Sequence, residues 1–218
     1  HPHWSWPVTS PEEIKAVTQF MKNGCKNKNG YPVVVAEFES EFANYHKAKF
    51  ALTTNSGTSS LHAAFFAVGV SDGDEVITPS LTFHATASPL KQLNAVPILC
   101  DCEPDTGNID PIEIEKKITK RTKAIVVTHL CGHPCEMDEI IRISKKNNIP
   151  VIEDCSHAHG STYKGKKVGT FGEIGVFSMN NQKMLSAGES GILITDKQEL
   201  YERALLFGDF GPRLESGI

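Results

Sequence analysis

The sequence predicts an α/β domain built on a mostly parallel seven-stranded sheet with helices on both faces. Three observations predict it. Short apolar runs recur at 50–53, 75–78, 96–100, 124–128, 151–153, 175–178 and 191–195, each bounded by turn residues. Helical patterns lie between several of them, and strand–helix alternation is the pattern of a sheet whose faces are covered by helices. Polar and ionisable residues gather directly after the runs, at the carboxyl ends where open α/β sheets place their ligand sites.

The elements follow in order. Residues 11–22 read as a helix, with Ser10 as N-cap and Pro11 and Glu13 in the first turn. A Gly/Asn/Lys-rich loop covers 23–32, and a second helix covers 35–46. The pair forms an N-terminal helical segment over 1–47, ahead of the main domain over 48–218. Within that domain helical patterns fill 59–68, 84–93, 111–118 and 137–147, and a last helix, 197–207, follows the final strand. Asp110, Pro111 and Glu113 supply N-cap, first position and third position of the 111–118 helix.

Composition bounds the function. Of 218 residues, 39% are hydrophobic and 22% charged, which supports a sizeable core and argues against a disordered chain. The net charge of −4, from 22 basic and 26 acidic residues, gives no general electrostatic case for nucleic acid. No apolar run approaches the ~18 residues of a membrane span, and residues 1–20 contain no apolar core of a signal peptide. The six cysteines include no CxxC pair, so reduced thiols in a cytosolic protein are expected.

Several motifs could carry chemistry, each with a plainer reading beside it. Ser56-Gly57-Thr58-Ser59-Ser60 joins a strand to a helix and could hold a phosphate on the N–H groups of the first turn, or serve as an ordinary N-cap. Asp154 ends a strand, where it could pair with a cationic ring nitrogen or simply form a turn. Lys183 lies in a polar loop ahead of Gly188-Glu189-Ser190-Gly191; a lysine short of water is a nucleophile that can form a Schiff base, whereas most lysines are solvated charges. Cys131, Cys135, His129 and His133 lack the paired spacing of a zinc site, and small buried thiols are the plainer account. In Asp101-Cys102-Glu103-Pro104-Asp105-Thr106-Gly107, a threonine takes the glycine position of a calcium loop. No metal is expected. Tyr163 and Lys167 are spaced as in short-chain dehydrogenases, but Gly165 breaks the helix such a pair needs.

Taken jointly, the motifs are more specific. Asn55-Ser56-Gly57-Thr58-Ser59, Thr78-Pro79-Ser80-Leu81-Thr82-Phe83, the stretch 151–160, Gly172-Glu173-Ile174-Gly175-Val176-Phe177-Ser178 and Lys183 resemble one family over about residues 6–211. It is the DegT/DnrJ/EryC1/StrS group of pyridoxal-phosphate-dependent sugar aminotransferases, of fold type I. The resemblance implies that 48–218 is the cofactor-binding large domain, with the family's C-terminal small domain absent.

It also implies roles. Lys183 matches the lysine that binds the cofactor aldehyde and then shuttles a proton. Asp154 matches the acid that keeps the pyridine nitrogen protonated. Phe83 matches the aromatic residue stacked on the ring, and His157 the polar residue near the ring hydroxyl. Gly57, Thr58 and Ser178 match the phosphate cradle, with Ser59 beside it. The implied reaction moves an amino group from glutamate or glutamine to a keto-sugar, often nucleotide-linked, or a keto-cyclitol, in a cytoplasmic homodimer. Related dehydratases carry a histidine at the lysine position, and Lys183 argues against that reaction. The alternative is a truncated, catalytically impaired domain of the same fold that binds cofactor or a partner. Trp4, Trp6 and Pro7 either help line the acceptor pocket or anchor the N-terminus on the core. Met179 and the Asn180-Asn181-Gln182 lead into the lysine depart from the family pattern.

Overall fold

The structure is a computed structural model, and it describes residues 8–23, 27–28 and 31–208. Trp4, Trp6, Pro7 and Cys25 lie outside the described residues. In chain order the elements are α1 (Pro11–Asn23), β1 (Asn27–Lys28), β2 (Tyr31–Pro32), α2 (Val33–His46), β3 (Phe50–Thr54), α3 (Gly57–Ala67), β4 (Glu75–Pro79), α4 (Ser88–Gln92) and β5 (Val96–Cys100). They continue with α5 (Pro111–Lys117), β6 (Thr122–Thr128), α6 (Met137–Asn147), β7 (Val151–Asp154), β8 (Thr162–Tyr163), β9 (Lys166–Lys167), β10 (Ile174–Ser178), β11 (Gly191–Thr195) and α7 (Gln198–Gly208).

The seven expected strands form one sheet in the order β3-β11-β10-β7-β6-β4-β5. Pairing is parallel from β10 through β5. Only β11 runs against its neighbours, β10 and β3. No helix separates β10 from β11, so the chain has no crossover with which to return in the parallel sense.

Residues alternate between two cores, one on each face. Ile77, Ile125, Val127, Val151 and Ile192 pack with Met137, Ile140 and Ile143 of α6 and Phe42 of α2. Val76, Val126, Ile152, Val176 and Leu193 pack with Leu61 and Phe65 of α3 and Tyr201 and Leu205 of α7. Burial on both faces explains why the strands read as short continuous apolar runs. Helices therefore cover both faces, as expected.

Local chemistry sets the helix starts. Ser10 and Glu13 make a reciprocal capping box at α1, with Glu13 N donating to Ser10 Oγ at 3.1 Å and Ser10 N to Glu13 Oε2 at 2.5 Å. The Asp110 carboxylate accepts from Ile112 N at 2.7 Å at the start of α5. The helix expected over 84–93 is broken. His84–Thr86 is a 3-10 turn, and α4 restarts at Ser88 with Pro89 in its first turn. Proline has no N–H to continue an upstream helix, so the chain restarts there instead. The expected loop 23–32 contains the short antiparallel β1–β2 pairing.

His46 ties α2 to the strand that leads into the site. Its ring lies 4.4 Å from Phe42 and 4.7 Å from Phe177 between ring centres. Burial, the largest cause, pushes its pKa down to about 4.

Candidate active site

The carboxyl ends of the parallel strands, with the turn before α3, enclose a cleft of about 730 Å³. Lys183, Asp154, Phe83, His157, Ser178 and the Gly57–Thr58 turn all line it. Residues as distant in sequence as Gly57 and Lys183 meet here because β4, β6, β7 and β10 run in one direction and end at one edge.

The floor is Asp154, 4% exposed at the end of β7. Its Oδ1 accepts from Ser156 N at 3.1 Å and its Oδ2 from the Thr86 hydroxyl at 2.9 Å. The preceding residue, Glu153, faces the other side of the sheet, as strand alternation requires. It is fully buried, and its two oxygens accept from Phe171 N, Gly172 N and Gly169 N, each at 2.7 Å. His129 adds a contact at 3.1 Å. His129 Nδ1 accepts from Cys135 N at 3.0 Å, so the ring proton lies on Nε2 and donates to Glu153. Glu153 thus ties β7 to the loop 169–172 that leads into β10.

One end of the cleft is a close approach of backbone to strand. A Cβ added at Gly57 would lie 2.7 Å from Ser178 Cβ, so only glycine lets α3 begin against the end of β10. Ser56 caps the helix by accepting from Ser59 N at 3.1 Å. The next N–H groups, of Gly57 and Thr58, belong to the first turn, whose donors have no acceptor within the helix. Ser59, expected beside the phosphate cradle, packs on the cap. Its N–H goes to the cap, its hydroxyl lies 3.1 Å from Ser56 Oγ, and it does not line the cleft.

Gly57→Ala is expected to lower stability by about 1–3 kcal/mol through overpacking against Ser178. Thermal unfolding of the two proteins checks this.

Lys183 arrives on a turn organised by Asn180. Asn180 O accepts from Lys183 N at 2.8 Å, its Oδ1 from Gln182 N at 3.1 Å, and its Nδ2 donates to Glu189 Oε1 at 2.6 Å. The Asn180-Asn181-Gln182 lead is therefore turn chemistry. Met179 is 1% exposed in the core beneath it. Burial lowers the pKa of the Lys183 amine, and the charge of Asp154 partly opposes the shift.

His157 Nδ1 accepts weakly from Cys131 N at 3.4 Å. Burial is the main cause lowering its pKa, with the Lys183 charge second. Phe83 is 60% exposed at the cleft wall and packs on His84 with ring centres 4.2 Å apart.

Other motifs fall elsewhere. Cys131 and His133 are exposed, while Cys135 is buried and donates to Thr128 O at 3.3 Å. Among the described residues His129, Glu153 and Cys155 bring possible metal-binding atoms within 4.8 Å of one another, but backbone N–H groups already occupy both Glu153 oxygens. Asp101–Gly107 closes as a turn, with Thr106 Oγ1 donating to Glu103 Oε2 at 2.8 Å. Tyr163 and Lys167 sit in the β8–β9 hairpin, where Tyr163 donates to Glu136 at 3.0 Å.

Sequence reasoning missed Thr86 and Glu189 as site residues, and Thr128 as more than a strand end. Thr128 and Glu189 both line the cleft, and Thr86 stands behind Asp154. The available signal was position, since Thr128 is the last residue of β6 and pairs in register with Asp154.

The family model for the DegT/DnrJ/EryC1/StrS aminotransferase family matches residues 7–216. The chain belongs to this family. It is 45% identical over 173 residues to a GDP-perosamine synthase of Escherichia coli O157:H7, covering 79% of this chain and 48% of that one. It is 40% identical over 203 residues to an L-glutamine:2-deoxy-scyllo-inosose aminotransferase of Micromonospora echinospora, covering 91% and 48%. The X-ray structure of an aminotransferase from Psychrobacter cryohalolentis superposes with a TM-score of 0.89 at 36% identity, covering 94% of this chain and 52% of that one. A Streptococcus pneumoniae structure of the same fold, at 26% identity and a TM-score of 0.84 over 92% of this chain and 56% of that one, is a PLP form. The chain spans about half the length of the curated relatives it matches. Among the described residues no helix is long and apolar enough to cross a membrane.

Proposed function

We propose that this chain provides the cofactor-binding region of a pyridoxal-phosphate-dependent aminotransferase that moves an amino group from glutamate or glutamine to a keto-sugar or keto-cyclitol. The observation that carries the reading is the joint presence, in one cleft, of the Lys183 amine, the buried Asp154 carboxylate and the Gly57–Ser178 approach. The residues fit the cofactor. The first turn of α3, held against Ser178 at the cleft, suits a phosphate, and the buried Asp154 carboxylate suits a protonated ring nitrogen.

Bound pyridoxal phosphate would supply an aldehyde for the amine and a cationic ring that takes up electrons. The protein's own groups divide the remaining work. Thr58, Ser178 and the N–H groups of the first α3 turn would hold the dianionic phosphate. Asp154 would hold a proton on the ring nitrogen, with Phe83 as the aromatic partner of the ring and His157 as the polar partner of its hydroxyl. Lys183 would bind the aldehyde and serve as the proton carrier. Its lowered pKa leaves more of the unprotonated amine near neutral pH than an exposed lysine has, which suits both tasks. The same reading gives a cytoplasmic homodimer, with 1–47 as an N-terminal helical segment before the cofactor-binding domain.

The test incubates the chain with pyridoxal phosphate, each donor in turn and a panel of keto-cyclitols and nucleotide-linked keto-sugars. Mass spectrometry should find the aminated product, and the cofactor's visible absorption should shift on binding. No spectral change and no product from any acceptor would overturn the proposal.

A further inference from the structure

Asp154 stands at the end of a chain of three threonine hydroxyls. Thr86 Oγ1 donates to Asp154 Oδ2 at 2.9 Å. Thr82 Oγ1 lies 2.8 Å from Thr86 Oγ1 and 3.1 Å from Thr128 Oγ1. Thr86 and Thr128 are 0% and 3% exposed. The cluster follows from the topology. Thr128 ends β6 and is the register partner of Asp154, while Thr82 and Thr86 lie in the segment after β4, the other neighbour of β6.

Proton counting fixes the direction of every bond. A carboxylate has no proton to give, and each hydroxyl has one. Thr86 spends its proton on Asp154, so it accepts from Thr82. Thr82 is then spent and accepts from Thr128. The direct Thr86–Thr128 separation of 3.5 Å is the longest of the set and does not compete. The three O–H bonds therefore run head to tail, Thr128 to Thr82 to Thr86, and end on Asp154, and in a site shielded from water each bond polarises the next. Oδ1 is held separately by Ser156 N. With one donor on each oxygen, the carboxylate cannot rotate without breaking a bond.

We propose that Thr86, backed by Thr82 and Thr128, is a positioning residue that locks the Asp154 carboxylate in the orientation that meets the ring nitrogen of the cofactor. The role rests on the cofactor reading above, and it predicts a specific defect. Losing the Thr86 hydroxyl weakens contact with the ring nitrogen and leaves the phosphate cradle untouched.

The test compares two probes, pyridoxal phosphate and its analogue with CH in place of the ring nitrogen, by equilibrium binding to the apo chain. Wild type should bind the first more tightly. Thr86→Val, which keeps the shape and removes the hydroxyl, should lose about tenfold in affinity for pyridoxal phosphate, as expected for a hydrogen bond to a charged group. Its affinity for the analogue should change less than about twofold, which is within the scatter expected where no bond is lost. Thr86→Ser should restore the preference. Thr128→Val, two hydroxyls back, should narrow it by a smaller factor and serves if Thr86→Val does not fold. Equal binding of both probes by wild type would overturn the cofactor reading at Asp154. A wild-type preference that survives intact in both valine variants would overturn the positioning role alone.

Discussion

Lys183→Ala is expected to reduce amine transfer by at least about 10⁴-fold, because one substitution removes both the nucleophile and the proton carrier. The fold should be unaffected. Lys183 is half-buried, and the turn that carries it is built from its backbone N–H and from Asn180, none of which needs the side chain. Pyridoxal phosphate should still bind through the cradle and Asp154, but without covalent attachment. Steady-state turnover and thermal unfolding, measured together, check both halves. Turnover within tenfold of wild type would remove Lys183 from the chemistry.

Asp154→Ala is expected to cut turnover by about 10²–10³-fold, the usual scale for deleting one partner of a buried charged pair or one preorganised electrostatic contact. The loss should fall on rate much more than on affinity for inorganic phosphate. Phosphate would be gripped near Gly57 and Ser178, at the ends of α3 and β10, while Asp154 sits at the end of β7. The alanine also leaves the Thr86 hydroxyl without its acceptor in a site that is 0% exposed. A moderate fall in stability should therefore accompany the defect. Equal losses in turnover and phosphate binding would make Asp154 a scaffold residue.

The strands were legible because burial on both faces leaves short continuous apolar runs such as Ala124-Ile125-Val126-Val127. Strand direction was less legible. An isolated run such as 191–195 carries no sense of direction, and only the missing helix between 178 and 191 signals that β11 turns back. The break inside 84–93 was also hidden, since its apolar spacing fits one helix while Pro89 forces a restart.

The site was legible where a residue type is rare for its surroundings. An acid closing an apolar strand and a glycine opening a helix both drew notice, and both line the cleft. Glu153 and the threonines did not draw notice. A threonine at a strand end matches ordinary β propensity. The value of Glu153 depends on three backbone donors from 169–172, which no local pattern reveals.

The central claim is that the Lys183 amine and the Asp154 carboxylate act on one pyridoxal phosphate. The most direct measurement is borohydride reduction of the chain with that cofactor near neutral pH, followed by peptide mass mapping. The account predicts one pyridoxyl group per chain, on Lys183, and its loss from that position when Asp154→Ala is reduced under limiting cofactor. Labelling spread over exposed lysines, or a single label on a lysine outside the cleft, would contradict it.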